Sequence, residues 1–457
     1  MTESSFEKLE ELVLYLMRQS KIPGLSVAVV KDGHSIYVRG FGARNREKNL
    51  PMTPDTLWQI ASISKSFCAM AIMQLVEKGK VDLHAPVNKY INFKLGKKAK
   101  PIEVHHLLSH SSGIPELDAI SASIYKDVFV PMSSEQDFMT FINNAYTEIA
   151  ADPGKMFMYN NDMYACLGLI VEKVTNTKYA HYVKENILKP LGMNRSTYLD
   201  EELEKDHDVI SGYVPSKDGL SMDPKPVRND PLLYACGGLN SSVRELQNYM
   251  ITVMNDGVFK GNRVLERSSI ERMWKPHIKP PKGYGKAGYG YGWGIDDDFF
   301  GCDMVHHGGN LDTSGGFLAM IPAKKLGVVV GQIPNPTGAP ASITRALLAT
   351  LMAQKTDKAA PELETKKRLE ALEGKYKSYG GSQIELSMRD AVLYAKFTYE
   401  GIKGYETTVP LAIKDLKKLR FTVPYAIDRM ELEVQGAIDR KTRKVTLKAD
   451  RYYYHKV

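Results

Sequence analysis

Several features of secreted, membrane and nucleic-acid-binding proteins are missing from this sequence of 457 residues. Its first residues do not show the basic-then-apolar layout of a signal peptide, and no window holds about 18 uninterrupted apolar residues. The 61 Lys and Arg are dispersed among 53 Asp and Glu without a basic block. This dispersion predicts a solvated surface and no nucleic-acid partner, although the net charge of +8 leaves an acidic partner as an alternative. We therefore expect a cytoplasmic protein that does not bind a membrane.

Cysteine is scarce as well. The sequence has four cysteines: Cys68, Cys166, Cys236 and Cys302. They are far apart and form no Cys-x-x-Cys pair, which excludes a disulfide framework and predicts small apolar core residues. His106 and His110 lie four residues apart, but no acidic or third ligand is evident nearby. The sequence thus predicts no metal site and no cofactor.

The apolar pattern divides the chain into two parts. Residues 1–355 carry strand patterns near both ends and helical patterns between them, which predicts an α+β domain with one antiparallel sheet flanked by helices, plus an all-helical subdomain. Residues 356–367 have the composition of a polar linker. Residues 368–457 alternate apolar and polar positions between turn signals, which predicts a small antiparallel β-barrel.

Four segments of the first part have clear strand character. Residues 25–30 and 36–41 flank a Lys-Asp-Gly-His turn and predict a hairpin. Residues 316–321 are apolar, and residues 326–333 form a continuous apolar run that is typical of a strand buried on both faces. We expect the terminal strands of this part to lie together in one sheet.

The helix pattern around which the chain is organised begins beside Ser62. Apolar residues recur at helical spacing after it, and Gly79 ends the pattern. We expect Ser62 in the first turn of a buried helix, with Lys65 three residues later on the same face. A lysine within hydrogen-bond reach can activate a serine hydroxyl as a nucleophile. Alone, Ser-x-x-Lys also fits an N-cap serine followed by a solvated lysine.

Two further stretches carry polar groups at element boundaries. Tyr159-Asn160-Asn161 precedes a helix pattern, and His306-His307-Gly308-Gly309 precedes a Gly-Gly-Phe strand start. Taken singly, the tyrosine fits a half-buried loop aromatic, and the two histidines fit a polar pair at a strand edge. The interpretation therefore depends on the three stretches together.

In this order, Ser62-x-x-Lys65, Tyr159-x-Asn161 and His306-x-Gly308 resemble the three motifs of the penicillin-recognising serine hydrolases. The resemblance spans roughly residues 5–350 and implies a β-lactamase/transpeptidase-like domain. The Tyr-x-Asn form is similar to the branch that contains class C β-lactamases, D-aminopeptidases and esterases. It implies a serine hydrolase that works through an acyl-enzyme.

The resemblance also implies a role for each motif residue. Ser62 is the nucleophile, and Lys65 and Tyr159 share the proton transfers, with the identity of the general base left open. Asn161 orients the substrate amide and Lys65. The backbone N–H groups of Ser62 and Gly309 form the oxyanion hole.

His306 and His307 depart from the usual third motif. His306 stands where β-lactamases and DD-carboxypeptidases have a lysine for the substrate carboxylate, and a histidine is mostly neutral at pH 7. His307 and Gly308 complete the expected substrate pocket, which His307 narrows or supplies with an extra donor. We therefore expect a peptidase acting on small peptide, amide or ester substrates, including peptides with D-residues. Esterase or β-lactamase activity at the same site, and a penicillin-binding sensor without turnover, are the alternatives.

The C-terminal part resembles, at the level of its strand pattern, the lipocalin-like barrel appended to some CubicO-type serine peptidases. The resemblance implies that residues 368–457 mediate homo-oligomer formation or cover the active site. Lipid carriage is a rival interpretation, but about 90 residues leave a small or filled barrel.

Overall fold

The computed structural model describes residues 3–20, 22–97, 99–120, 134–215, 222–225, 229–281, 283–333, 340–389, 392–398, 406–423, 432–439, 442, 444–449 and 452–457. The chain divides into two compact units, Met1–Gln354 and Lys355–Val457. Each unit has its own buried apolar cluster.

The first unit is built on an eight-stranded antiparallel sheet with the order β10-β11-β12-β13-β14-β1-β2-β3. Three short two-stranded sheets pair β4 with β7, β5 with β6 and β8 with β9. The strands of this unit are β1 (Gly24–Lys31), β2 (His34–Asn45), β3 (Leu50–Pro51), β4 (Trp58–Gln59), β5 (Gly212–Pro215), β6 (Met222–Lys225), β7 (Asn240–Ser241), β8 (Val258–Phe259), β9 (Asn262–Arg263), β10 (Gly288–Tyr289), β11 (Gly294–Asp296), β12 (Met304–Asn310), β13 (Gly315–Ile321) and β14 (Leu326–Gln332).

The centre of the sheet joins the two ends of the unit. Strand β1 pairs with β14 from Leu25 opposite Gln332 to Lys31 opposite Leu326. All residues of β13 and β14 are buried, as expected for apolar runs covered on both faces. The expectation that terminal strands meet in one antiparallel sheet is confirmed.

Helices cover the sheet and form the helical subdomain. Their bounds are α1 (Glu3–Gln19), α2 (Ser64–Glu77), α3 (Val104–Leu108), α4 (Glu135–Asn144), α5 (Asn161–Thr175), α6 (Tyr179–Val183), α7 (Asp200–Leu203), α8 (Val243–Met254), α9 (Arg267–Trp274) and α10 (Pro340–Leu351). Helix α2 is buried from Ser64 to Leu75, and Gly79, with φ +67°, follows its last turn. No helix in the described part of the chain is long and apolar enough to cross a membrane.

Trp58 fixes the start of α2 against the sheet. Its indole packs against two glycines of the sheet, and a Cβ atom at Gly316 or Gly331 would come within 2.2 Å or 2.3 Å of the ring. Side chains at these two positions would expel Trp58, so the glycines permit a close approach that no other residue allows. The turn that follows Trp58 is thereby held beside strand β12.

The second unit is a nearly closed nine-stranded antiparallel barrel preceded by two helices. The strand order is β18-β17-β16-β15-β23-β22-β21-β20-β19, and apolar side chains, including Tyr376, Phe397 and Phe421, fill its centre. The segment predicted as a polar linker is helical instead, because α11 and most of α12 lie within it. The elements are α11 (Thr356–Ala359), α12 (Pro361–Ala371), β15 (Gly374–Ser378), β16 (Gln383–Arg389), β17 (Val392–Thr398), β18 (Glu406–Pro410), β19 (Ala412–Asp415), β20 (Arg420–Val423), β21 (Leu432–Ile438), β22 (Val445–Ala449) and β23 (Tyr452–Lys456).

Candidate active site

Ser62 lies in a short 3₁₀ turn, Ala61–Ile63, that runs directly into α2. The sequence places Ser62 in the first turn of the helix, and the structure places it in this tighter turn immediately before. Ala61 has φ +49°, a left-handed conformation that is unfavourable for a residue with a Cβ atom. The strain is local to the residue before the serine, whose own side chain is only partly buried.

Lys65 is completely buried and extends to Ser62. Its Nζ atom lies 3.1 Å from Ser62 Oγ, 2.6 Å from Asn161 Oδ1 and 2.9 Å from the carbonyl oxygen of Cys236. Two of these partners are carbonyl oxygens, which only accept, so Lys65 must donate an N–H to each. The third contact can be N–H to oxygen or serine O–H to nitrogen. A proton can therefore pass between Ser62 and Lys65 without movement of either side chain.

Tyr159 completes the group. Lys65 Nζ lies 4.7 Å from the centre of its ring. Burial raises the pKa of the Tyr159 phenol, and the side chains of Lys65 and Ser62 oppose this shift only in part. The phenol thus carries its proton near pH 7.

A histidine, His110, contacts the loop that carries Tyr159. His110 Nδ1 accepts the backbone N–H of Asn160 at 3.1 Å, and its ring centre lies 4.2 Å from that of Tyr159. Burial, with smaller contributions from Lys65 and His307, lowers the pKa of His110 well below its ordinary value. His110 is therefore neutral, with its proton on Nε2, and supports the tyrosine as a flat polarisable surface.

Helix α5 begins at Asn161 because Asn160 caps it. The side chain of Asn160 accepts the backbone N–H of Met163 at 2.9 Å and donates to the carbonyl oxygens of Ile114 and Pro115 at 3.1 Å and 2.6 Å. This double attachment fixes the first turn of α5. It directs the Asn161 side chain at Lys65.

A carboxylate, Glu116, contacts the same helix start. Its Oε2 atom accepts the backbone N–H of Asn161 at 2.6 Å. Burial and the neighbouring Asp162 raise the pKa of Glu116 to about 7, while the Asn161 N–H and Lys65 act in the opposite direction. Glu116 is thus a partly exposed acid next to Asn161, and its carboxyl titrates near neutrality.

The two histidines of the third motif face opposite sides of the sheet. His307 lies on the side of Lys65: Its Nδ1 atom donates to the carbonyl oxygen of Gly308 at 2.6 Å, so its Nε2 atom accepts the hydroxyl of Tyr289 at 2.9 Å. Burial and Lys65 lower the pKa of His307 to about 3. His307 is therefore a fixed neutral ring with both nitrogens occupied.

His306 is not part of this group, which corrects the interpretation of the sequence. Its ring stacks on Phe317 with the centres 5.2 Å apart, and its Nε2 atom lies 3.5 Å from Asp296 Oδ1, on the face covered by α10. Burial favours a higher pKa for Asp296, but His306, a backbone N–H and Arg345 lower it to about 2. Successive side chains of a strand alternate between its faces, so only one of two adjacent histidines can reach the site.

Gly309 lies against the turn of Ser62. A Cβ atom at Gly309 would come within 2.1 Å of the carbonyl oxygen of Ile60, whereas one at Gly308 would point to the opposite face and meet the ring of Phe317 at 3.2 Å. The absence of a side chain at Gly309 allows strand β12 to approach the backbone beside Ser62. The structure therefore brings Ser62, Lys65, Tyr159, Asn161, His307 and Gly309 together, with Gly308 adjacent and His306 turned away.

The sequence missed several members of the site. Cys236 contributes only its carbonyl oxygen, and a backbone acceptor has no sequence signal. Tyr289 and Tyr284 lie outside the three motifs, and no sequence pattern indicates that they meet the site. Tyr284 is 41% exposed, with its ring centre 5.1 Å from that of Tyr159 and 5.2 Å from that of Phe157. This aromatic wall presents an apolar surface beside the serine.

Comparison with known proteins shows the family of the first unit. A family model described as Beta-lactamase matches residues 9–354. The chain therefore belongs to the beta-lactamase family, within the superfamily of serine hydrolases that includes the penicillin-binding proteins. Its first unit is the domain that defines this family.

The chain is similar to solved structures of penicillin-binding proteins and their homologues. The octameric penicillin-binding protein homologue from Pyrococcus abyssi is 35% identical, with a TM-score of 0.86 over 99% of this chain and 100% of that one. The penicillin-binding protein from Bacillus halodurans is 24% identical, with a TM-score of 0.59 over 76% of this chain and 98% of that one, and shares the fold.

Two curated proteins are more distant relatives, and one of them is named as a hydrolase. Protein flp from Staphylococcus aureus (strain MW2) is 25% identical over 345 residues, which cover 72% of this chain and 63% of flp. The unguisins hydrolase from Aspergillus campestris is 26% identical over 379 residues, or 78% of this chain and 67% of that protein. The chain thus spans less than two thirds of the length of flp.

Proposed function

We propose that this protein is a serine peptidase that cleaves small peptide, amide or ester substrates through an acyl-enzyme on Ser62. The observation that carries the proposal is the buried Lys65, placed 3.1 Å from Ser62 Oγ and held by two carbonyl acceptors. A lysine fully buried beside a partly exposed serine has little structural purpose, because burying an amine is costly. A hydrophobic residue would serve the fold better.

We assign the first proton transfer to Lys65 and the second to Tyr159. Ser62 Oγ attacks the substrate carbonyl as its proton moves to Lys65 Nζ, and the backbone N–H groups of Ser62 and Gly309 bind the developing oxyanion. The Tyr159 phenol, which holds its proton near pH 7, then protonates the leaving nitrogen and is reprotonated from Lys65. A water molecule hydrolyses the acyl-enzyme by the reverse transfers.

The charge around the site favours neutral or aminoacyl substrates over carboxylate-bearing ones. His307, the histidine of the third motif that lies on the side of Lys65, is neutral because burial and Lys65 lower its pKa to about 3. Glu116 adds negative charge beside the site as the pH rises above about 7. Together they leave little positive charge to bind the carboxylate of penicillins and D-alanyl-D-alanine peptides. The aromatic wall of Phe157, Tyr159 and Tyr284 suits an apolar side chain of the substrate.

A substrate screen tests the proposal. Wild type and Ser62→Ala are compared on D- and L-aminoacyl anilides, on p-nitrophenyl esters and on a chromogenic cephalosporin, with fluorophosphonate labelling followed by mass spectrometry. We expect steady-state turnover of anilides and esters, slow cephalosporin hydrolysis, and one labelled residue that is absent from Ser62→Ala. A single burst without turnover on every substrate supports the penicillin-binding sensor instead. Labelling that persists in Ser62→Ala contradicts the proposal.

We also propose that the protein forms a homo-oligomer through its C-terminal barrel, and that it is cytoplasmic. The support is the Pyrococcus abyssi relative, which is described as octameric and is 35% identical over 99% of this chain. Light scattering of the full chain and of a chain ending at Gln354 tests this: We expect a multimer and a smaller species. Equal subunit numbers for the two contradict a role of the barrel in assembly.

A further inference from the structure

Three potential metal ligands converge on the surface of the first unit, away from the serine motifs. His84 Nδ1 lies 3.3 Å and His105 Nε2 lies 3.0 Å from the same carboxylate oxygen, Glu103 Oε2. The three ligand atoms lie within 4.8 Å of one another. Zinc bonds to nitrogen and oxygen are about 2.0–2.1 Å long, which places tetrahedral ligands about 3.3 Å apart. Two of the three separations already match this value.

The backbone around these ligands is firmly held. The segment of His84 and the segment that leads into α3 are joined by three hydrogen bonds, from His105 N to Leu83 O at 3.0 Å, Val104 N to Ala85 O at 3.2 Å and Val87 N to Ile102 O at 2.9 Å. These main-chain hydrogen bonds therefore place Glu103 and His105 opposite His84.

A further contact fixes the carboxylate side of the cluster. The backbone N–H of Glu103 donates to His106 Nδ1 at 3.0 Å, and the ring of His106 packs against His105 at a tilt of 39°, with the centres 3.9 Å apart. His105 and Glu103 are 21% and 26% exposed, and His84 is 74% exposed. Two ligands are thus preorganised, while the exposed imidazole can rotate to close the third edge of a tetrahedron. Solvent reaches the fourth position.

We propose that His84, Glu103 and His105 form a binding site for one zinc-type divalent ion, separate from the Ser62 site. Two imidazoles and one carboxylate are the donor set that zinc accepts with a solvent molecule as fourth ligand. The ion ties the His84 segment to α3.

No single sequence pattern contains all three ligands, because His84 meets the other two only through the pairing of distant segments. His106 and His110, the two histidines that the sequence analysis considered as metal ligands, are not ligands of the proposed zinc site. Their Nδ1 atoms accept backbone N–H groups at 3.0 Å and 3.1 Å. Glu103-x-His105 is the local signature that remained unnoticed.

Zinc titration of the chelator-treated full chain tests the proposal. Calorimetry is expected to show one saturable site per chain in wild type, and Co²⁺ is expected to give the visible absorption of a tetrahedral complex. His84→Ala, which alters an exposed side chain, should weaken binding at least about tenfold. Glu103→Gln, which keeps the side-chain shape, should do the same.

Two controls separate this site from other sources of binding. His34→Ala removes another exposed histidine and should bind zinc as wild type does, and Ser62→Ala should also retain the site. Zinc should raise the midpoint of thermal unfolding of wild type and of both controls but not of His84→Ala. Absence of saturable binding, or unchanged affinity in both His84→Ala and Glu103→Gln, would overturn the proposal.

Discussion

At the scale of single residues, the two proton carriers have different tasks that a choice of substrate separates. Lys65→Met removes the proton acceptor of Ser62, so we expect hydrolysis of both anilides and p-nitrophenyl esters to fall by about 100- to 10,000-fold. Steady-state kinetics and the rate of fluorophosphonate labelling measure the loss. Lys78→Met, an exposed lysine at the end of α2, is the matched control. Wild-type labelling of Lys65→Met would contradict the assignment.

Tyr159→Phe should affect only substrates whose leaving group needs a proton. A p-nitrophenolate leaves without protonation, whereas an anilide nitrogen does not, so we expect a loss of about 100-fold or more for anilides and a loss under about tenfold for esters. Comparison of kcat/KM for the two substrates with the same acyl group gives the answer. Equal losses would make the phenol, and not Lys65, the base in the first step.

Glu116 gives the stability of the first unit a pH dependence. Its pKa rises from 4.5 to about 7 in the folded chain, so between these values the folded state binds more protons than the unfolded state. The free energy of unfolding therefore falls as the pH rises through this window, by at most about 3 kcal/mol. Glu116→Gln should remove this component of the decline. Urea unfolding of both proteins at pH 5 and pH 8 measures it, and identical pH dependence would refute it.

At the scale of elements, β12 can approach the Ser62 turn because Gly309, which faces that turn, has no side chain. Gly309→Ala places a methyl group against the backbone of Ile60 and must displace β12 or the turn. We expect kcat to fall by about 100-fold or more, as on loss of an oxyanion donor. The methyl group of Gly308→Ala, one residue away, points to the opposite face, comes no nearer than 3.2 Å to the ring of Phe317, and should leave kcat within about tenfold of wild type. Similar kinetics for the two variants would argue against this role.

Local patterns explain which elements were predictable. Strands β1 and β14 match the apolar runs at residues 25–30 and 326–333, and helix α2 matches the periodicity after Ser62. In each case the pattern lies within a short stretch of sequence. The polar composition of residues 356–367 concealed helices α11 and α12, because a helix start with Pro361 and charged side chains has the same composition as a linker. Composition alone did not separate the two.

Residues of the candidate site could be predicted where a sequence motif contains them. Residues that only the fold brings to the site could not. Ser62, Lys65, Tyr159 and Asn161 are close in space, and no pattern beyond the motifs was needed to name them. Which side of the sheet His307 faces depends on the phase of strand β12, and two adjacent histidines do not show which of them points to the site. Glu116 reaches the site through a loop, and such contacts between distant segments are visible only after folding.

At the scale of the whole molecule, the two separate cores predict separable unfolding. Phe421 lies in the centre of the barrel and is 1% exposed, so Phe421→Ala should destabilise the second unit by about 3–5 kcal/mol. We expect calorimetry to show two transitions, of which only one moves. Val392→Ala, a barrel residue that is 40% exposed, is the control and should shift neither transition appreciably. One transition that moves as a whole would show the chain to be a single cooperative unit.

The pairing of β1 with β14 also bears on how the protein is made. Leu25 leaves the ribosome early, but its neighbour Gln332 is synthesised only after the entire helical subdomain. The central strand of the sheet must therefore wait, with its apolar side chains uncovered, for most of translation. A nascent chain arrested before β14 should be captured by chaperones and digested readily, and one extended past Gln354 should resist both.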